Sequence, residues 1–510
     1  MKLRELTEGL RCEIIGNPEL DCRGLECDSR RVKEGYIFVA VEGTAQDGKR
    51  FITDALSRGA ICVVTEEKVN IPKHITQLIV EDTREALSRM ASRINGVPSE
   101  RLTMVAVTGT NGKTTVSYLV SSILKAAGIE CGIVGTTGYG WKERNIRAEL
   151  TTPDPLTLQK ILRQMADDGV THCVMEVSSH ALAQKRVLGC GFDVMAFTNL
   201  SQDHLDYHRT MEEYFRAKRE LFLNPSYRRE DTVAVINMDD EWGRGLLEDT
   251  EDSVAYSIKS SDADVYPVEY SLKRDGIRAV VESPQGRVRI HSSLVGEHNL
   301  QNILAAISVA EALGISTEVI EEGIATLKGV PGRLEAVSTT DDIYAYVDYA
   351  HTPDALERVC RVLRNFTEGR LITVFGCGGN RDRAKRPLMA KAVAEYSHVT
   401  IVTSDNPRDE DPMKIIEDIE VGLRGIEKCK PEDLPAERCY IVVPDRKEAI
   451  GLAVKIARPH DTILVAGKGH EDYQIIGGRR LHFDDREVLK EAISERTAST
   501  GAGKRNAYNS

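Results

Sequence analysis

No apolar run in the chain approaches the roughly 18 residues that a membrane-spanning helix needs. The N-terminal stretch Met1–Leu6 alternates charge with leucine and lacks the apolar core of a secretory leader, so a cytoplasmic location is expected. There is no C-x-x-C pair. The 11 cysteines are odd in number and scattered from Cys12 to Cys439, which speaks against a disulfide framework and against structural zinc. They read as small buried hydrophobes in a reducing compartment. Positive charge is in short supply: 67 Lys and Arg face 79 Asp and Glu, a net charge of −12, which excludes nonspecific nucleic-acid binding through a basic face. An anionic ligand must therefore find a locally positive site built from loops, helix ends and particular arginines. Internal repeats are also missing.

What is present is an ordinary globular balance, 41% hydrophobic and 29% charged, over 510 residues, too long for one hydrophobic core. Residues 1–98 mix short apolar runs (Tyr36–Val41, Ile61–Val64) with polar turns and read as a small α/β unit ending in the turn-rich Asn95–Ser99. Residues 99–333 open on the strand-like run Leu102–Val107 and alternate apolar runs with helical patterns, the mark of a parallel sheet covered by helices. Gly329–Arg333 forms the next joint. Residues 334–496 repeat the alternation, with β-branched strand candidates at Leu371–Phe375, Val399–Val402, Tyr440–Val443 and Thr462–Ala466. The small, polar residues 497–510 read as a disordered tail.

Directly after Leu102–Val107 comes Thr108, then Gly109-Thr110-Asn111-Gly112-Lys113-Thr114-Thr115, followed by a helical pattern with Val116, Leu119, Val120, Ile123 and Leu124 on one face and Gly128 as its stop. Strand, glycine loop and helix is the setting of a phosphate-binding loop: backbone N–H groups face the phosphates, Lys113 adds a point charge, and Thr114 can reach a magnesium ion. The spacing is shorter than G-x-x-x-x-G-K-[ST], yet the context points to ATP or GTP. A nucleotide loop alone does not name a reaction, since kinases, motors, transporters and ligases share it.

Two further apolar runs end in polar, metal-capable residues: Val174-Met175 leads into Glu176–His180, and Ala196–Leu200 into Ser201–His208. Ligands of open α/β sheets bind at that strand edge. Glu176 and His204 could complete magnesium coordination begun by Thr114 and phosphate oxygens. His180 and His208 read as ordinary loop or helix-start residues; zinc on His204 and His208 is the weaker alternative. Lys218, in the amphipathic stretch Glu213–Phe222, reads from pattern as a surface lysine, and Arg186 as a solvated helix arginine.

Taken together, the motifs resemble one family, the Mur ligases. The resemblance spans Asp28–Arg30, Gly109–Thr115, Thr151–Pro153, Glu176–His180, Gly296–Asn299, Gly332-Arg333, Asp348–Pro353, Gly376–Arg381, Asp405–Arg408 and Gly467–Glu471. It implies three α/β domains, with a central phosphate-loop ATPase-like parallel sheet and a Rossmann-like C-terminal domain. It also implies an ATP-dependent ligase that turns a substrate carboxylate into an acyl phosphate, which an amine then attacks. Lys113, Glu176, His204 and Lys218 would be catalytic, and Thr114, Glu176, His204 and Lys218 would hold Mg2+, Lys218 as its CO2-derived carbamate (N6-carboxylysine). Besides the loop residues Gly109–Thr115, ATP would meet Asn299, Asn302, Arg333, Asp348 and His351. Ser29, Thr151, Thr152, Ser178, Gln184 and Arg186 would hold a UDP-sugar dipeptide. Members often carry Asn before the Thr-Thr pair, where this chain has Leu150.

The amino acid to be added is implied by Asp405-Asn406-Pro407-Arg408, similar to the branch of the family that uses meso-diaminopimelate. Arg381 and Arg408 lie on loops after buried strands, and an arginine fork can take the far carboxylate that lysine lacks. Asp405, Asn406, Pro407, Gly467 and Glu471 complete that implied site, with Glu471 pairing with the amino group. Alternatives are a lysine-adding ligase, a folylpolyglutamate synthase, or a catalytically silent nucleotide-binding homologue. The expected partners are small molecules, without nucleic acid or membrane, and the expected state is a monomer.

Overall fold

A computed structural model describes residues 1–43, 46–339, 343–432, 434 and 438–506. Three α/β layers follow one another along the chain, each around its own sheet. The first sheet runs in the order Cys12–Ile15, Thr76–Val80, Ala60–Thr65, Tyr36–Val39, Gly24–Glu26, parallel except for its first pair.

The second sheet places Ser253–Tyr256, Arg228–Asn237, Phe192–Phe197, Thr103–Thr108, His172–Glu176 and Cys131–Gly135 side by side in parallel. Two antiparallel strands, Gly138–Trp141 and Arg144–Ile146, extend its edge. Strand period decides which core each side chain enters. Val105 and Val107 join one cluster with Leu119, Ile123 and Ile303, whereas Met104 and Ala106 join another with Leu162 and Phe222. The sheet is thus covered on both faces, which is why its strands read as continuous apolar runs. The sequence reading foresaw only alternation through residue 333. Instead, Tyr266–Lys273, Gly276–Ser283 and Gly286–Ser292 form a separate antiparallel sheet. Gly286–Ser292 alternates buried and solvated positions, a two-residue period that the apolar runs around it masked.

The third sheet has Ile343–Asp348, Asp461–Ala466, Leu371–Phe375, Val399–Val402, Cys439–Val442 and Glu427–Lys428 in parallel, with Glu335–Thr339 antiparallel on its edge. Leu371 and Phe375 enter one core, Ile372 and Val374 the other. The last helix, Asp485–Asn506, is anchored by buried Leu489 and Ile493. Its assigned range takes in the first part of the expected tail, and residues 507–510 of that tail lie outside the described residues.

Two features of this packing carry consequences for stability. Arg446 and Asp485 are both completely buried, and their bidentate pair (2.7 Å for both Nε to Oδ1 and Nη2 to Oδ2) ties the helix Arg446–Ile456 to the last helix. Asp485→Ala, which strands the guanidinium, is expected to cost about 3–5 kcal/mol, read as a lowered denaturant midpoint. Burial also draws the imidazoles of His208, His298 and His470 down to about 4. Neutral in the fold, each takes up a proton near pH 6.5 in the unfolded chain, so below that pH the unfolded state binds more protons. The melting temperature is expected to fall as pH drops from about 6.5 to about 4, and to change little from these groups above neutrality; a flat profile across that window would refute it.

Candidate active site

Strand order brings the separate motifs together. Thr103–Thr108 lies between His172–Glu176 and Phe192–Phe197, with Glu176 opposite Val107 and Phe197 opposite Thr108. The glycine loop, Glu176 and the segment Thr198–His204 therefore leave the same sheet edge. Gly109 (φ 143°) and Gly112 (φ 88°) adopt backbone conformations that side chains avoid, and a Cβ on either would strike Thr198 or Asn302. The helix Lys113–Ala126 buries the five apolar residues the sequence marks, and Gly128 (φ 72°) ends it in a Schellman motif, Ile129 N–H donating to Leu124 O and Gly128 N–H to Lys125 O.

Thr114 Oγ donates to Glu176 Oε2 at 3.1 Å and accepts from Arg333 Nη2 at 2.9 Å. Glu176, wholly buried, also accepts from Thr136 N–H and Thr136 Oγ, both at 3.0 Å. Among the described residues it has no ion-pair partner within 4.0 Å, so a buried carboxylate and a hydroxyl, two hard oxygen donors, stand together at the first turn after the loop. That donor set fits a magnesium ion.

Lys218 is the sharpest departure from its pattern reading. It is 1% exposed, not a surface lysine, because the helix Met211–Leu223 lays it under the loop. Its Nζ donates to Gly109 O at 2.9 Å, the same carbonyl that Lys113 Nζ uses at 2.9 Å, and lies 4.8 Å from the Tyr214 ring centre. No carboxylate stands within 4.0 Å of either ammonium among the described residues. Burial, reinforced by Lys113, draws Lys218 well below the usual lysine range, and burial lowers Lys113 as well.

His204 (φ 56°) faces Asp203 at 3.3 Å, and its ring meets His180 edge-on at 4.8 Å. His208 turns inward to Ser179 Oγ at 2.9 Å. Among the described residues no group of three or more His, Cys, Asp or Glu is arranged to hold a metal ion, and His208 is engaged by Ser179.

The third sheet supplies the other wall of one cleft, lined by Gly112, Lys113, Thr114, Asn299, Asn302, Arg333, Asp348 and His351, all from the sequence reading. Asn302 donates to Asn299 Oδ1 and closes over Gly112. Arg333 stacks on Tyr349 (4.7 Å) while reaching Thr114. Asp348, raised by burial, accepts from the N–H groups of Leu334 and Ala350 and so fixes the joint between the second and third sheets. Asn111 Nδ2 crosses to Asp354 at 3.0 Å, and His470 Nε2 lies 3.1 Å from Thr136 O.

Beside Glu176, Thr151 Oγ lies 3.1 Å from Thr136 Oγ. Thr152 Oγ donates to Glu176 O and accepts from Ser178 N–H, so its hydroxyl serves as a brace. Arg186, no solvated helix residue, donates to Thr152 O at 2.8 Å and to Gln184 Oε1 at 2.7 Å. Five residues of the implied dipeptide set thus converge. Ser29 stands apart on the first layer, buried at the start of the turn Ser29–Arg31 and outside the cleft lining.

Adjacent strands of the third sheet end in the loops carrying Arg381, Asp405–Arg408 and Gly467–Glu471. A Cβ on Gly378 would lie 3.0 Å from Arg408 Nη1 and 3.7 Å from Arg381 Cγ, so both arginines flank one glycine. Arg408 donates to Gly379 O at 2.7 Å, and Pro407 O packs against Gly379. Asn406 Nδ2 donates to Glu471 Oε2 at 3.0 Å; Gly467 (φ 116°) approaches Asp405. Arg386 is fully buried on Glu410 and Asp418. Thr136, Lys385 (3.9 Å from Asp203) and Lys468 escaped the sequence reading, because each gains its partners across elements distant in sequence.

Comparison with known proteins agrees with this geometry. The Mur ligase family, catalytic domain matches residues 21–106, the Mur ligase middle domain 107–310, and the Mur ligase, glutamate ligase domain 332–469. The chain is 44% identical over 512 residues to the UDP-N-acetylmuramoyl-L-alanyl-D-glutamate–2,6-diaminopimelate ligase of Geobacter metallireducens, covering 99% of this chain and all of that one. It is 45% identical over 482 residues to the ligase of the same name from Geobacter sulfurreducens, covering 93% and 95%. A solved structure of a ligase with this name superposes with a TM-score of 0.69 at 35% identity, covering 98% of this chain and 99% of that one. With its three layers, its glycine loop and matches along nearly its whole length, the chain belongs to the Mur ligase family.

Proposed function

We propose that the chain joins meso-diaminopimelate to UDP-N-acetylmuramoyl-L-alanyl-D-glutamate, with ATP activating the free carboxylate of the glutamate. The observation that carries this reading is the pair of arginines, Arg381 and Arg408, flanking Gly378 beside Glu471. A guanidinium pair suits the second carboxylate of the diamino acid, and a carboxylate suits its ammonium. Lysine, lacking the far carboxylate, would leave the arginines unpaired.

The chemistry follows from charge. A carboxylate is a poor acylating agent, so its oxygen attacks the terminal phosphorus of ATP and ADP leaves. The amine then attacks the acyl phosphate, phosphate departs as the amide forms, and the amine loses a proton. Lys113 and the loop N–H groups hold the phosphoryl oxygens. Asn302 and Asn299 sit where the nucleotide passes between the layers, and Arg333 and His351 close on it from the third sheet. Thr151, Ser178, Gln184 and Arg186 orient the UDP-dipeptide, with Thr152 bracing that wall and Ser29 reached by the nucleotide end.

Mg2+, when bound, supplies neutralisation of the phosphoryl charge; Thr114 and Glu176 would hold it, with His204 and Lys218 completing the set. Lys218 suits carbamylation, because a buried amine held in its neutral form is a nucleophile for CO2: the N–C bond forms as one C–O π bond opens and the nitrogen gives up a proton, and the product is an anion beside Lys113. On 13C-bicarbonate loading, a carbamate carbon signal is expected by NMR in the parent protein and not in Lys218→Arg; equal signals would overturn the assignment.

Selection of the amine is tested by phosphate release. The parent protein should turn over with meso-diaminopimelate and not with lysine. Arg408→Ala should lose roughly 100-fold or more in kcat/KM for diaminopimelate, about the 2–5 kcal/mol of a truncated buried charge pair, while ATP binding persists. Equal turnover of the parent with lysine would refute the specificity.

A further inference from the structure

At the end of Asp461–Ala466 the chain turns through Gly467 and buries Lys468 completely. Its Nζ faces three oxygens, Glu471 Oε2 at 3.2 Å, Asn406 Oδ1 at 3.3 Å and Asp405 Oδ1 at 3.4 Å, and lies 5.3 Å from the Tyr473 ring centre. Two carboxylates therefore share one resident ammonium. The next buried cation, Arg446, is engaged by Asp485 in a bidentate pair and reaches only the backbone carbonyls of Ser404 and Ala466 on this side. Among the described residues the two carboxylates have this one cation within 4.0 Å, and Arg408 and Arg446 act on Asp405 only from beyond that range.

We propose that Lys468 is a positioning residue of the amine pocket: it fixes Asp405, Asn406 and Glu471 around one point, leaving two carboxylates with a single cation in contact, a cluster that accepts the ammonium of the incoming amino acid. This rests on the ligase reading above and deepens it. The electrostatics run in the same direction. Burial and then Asp405 push the Glu471 carboxyl up, and Lys468 and the Asn406 hydrogen bond pull it back. Asp405 is held below the usual carboxylate range against its own burial, chiefly by Lys468 and then Arg446, His351 and Arg408. The other titratable groups facing Glu471 are Tyr473, Tyr349 and the engaged Arg446, none of which replaces the lysine as a hydrogen-bonding cation. Without Lys468, Glu471 keeps its proton to higher pH and no longer accepts an ammonium.

The experiment is steady-state kinetics of full-length Lys468→Met and Lys468→Arg with meso-diaminopimelate varied, at saturating ATP and UDP-dipeptide, across pH. For Lys468→Met, KM for diaminopimelate should rise about tenfold or more while KM for ATP stays within about twofold, and the acid limb of kcat/KM should move up by about one pH unit. Lys468→Arg should retain the parent's acid limb and recover most of the KM. It carries the test by itself if the methionine variant fails to fold. An unmoved diaminopimelate KM, equal losses for ATP and amine, or an arginine variant with a shifted acid limb would overturn the proposal. If the parent forms no amide with diaminopimelate, the ligase reading fails instead.

Discussion

Two lysine Nζ groups donating to one carbonyl, that of Gly109, is the arrangement on which the site depends. Lys113 comes from the first turn of the loop helix and Lys218 from a helix a hundred residues further on. With no acid within ion-pair range among the described residues, desolvation dominates at both: Lys113 adds repulsion at Lys218, and the more distant Glu176 only partly offsets burial at Lys113. Such a site is high in energy unless it gains negative charge or gives up protons. Phosphate oxygens would answer the first lysine, and the proposed reaction with CO2 would answer the second.

The same logic of incomplete charge recurs in the third layer with the opposite sign. Among the described residues Asp405 and Glu471 share Lys468 and have no second cation within ion-pair range. One cleft wall therefore lacks an anion and the other a cation, and the two reactants of a ligase, a phosphorylated acid and an amine, carry what each is missing. The walls belong to different sheets, and their polar contacts include Arg333 to Thr114, Asn111 to Asp354, His470 to Thr136 O, and the ion pairs of Arg147 with Asp472 and Lys385 with Asp203. Four of these five involve the glycine loop or the loop that holds Glu471.

Residues outside the chemistry hold these segments in place. Thr152 spends its hydroxyl on Glu176 O and Ser178 N–H, and Asp348 spends both oxygens on the joint after Arg333. Arg386 and Arg446, each fully buried, pin the arginine loop and the Glu471 loop from beneath. Exposed side chains at a site of this kind are few; most of its precision comes from buried polar groups that are already satisfied.

The glycine loop, its helix and the buried strands were legible in the sequence, because they depend on contacts within a few residues: positive φ at Gly109 and Gly112, the spacing of Val116 to Leu124, runs of β-branched residues. The matched motifs together also disclosed the family and the convergence of Arg381 with Arg408. Pattern alone misplaced Lys218 and Arg186 on the surface and gave no role to Thr136, Lys385 and Lys468. Each of these owes its burial or its partners to strands and helices that are neighbours only in space. A one-dimensional pattern records which residue is charged; whether that charge meets water, a carboxylate or another cation is settled when distant elements pack.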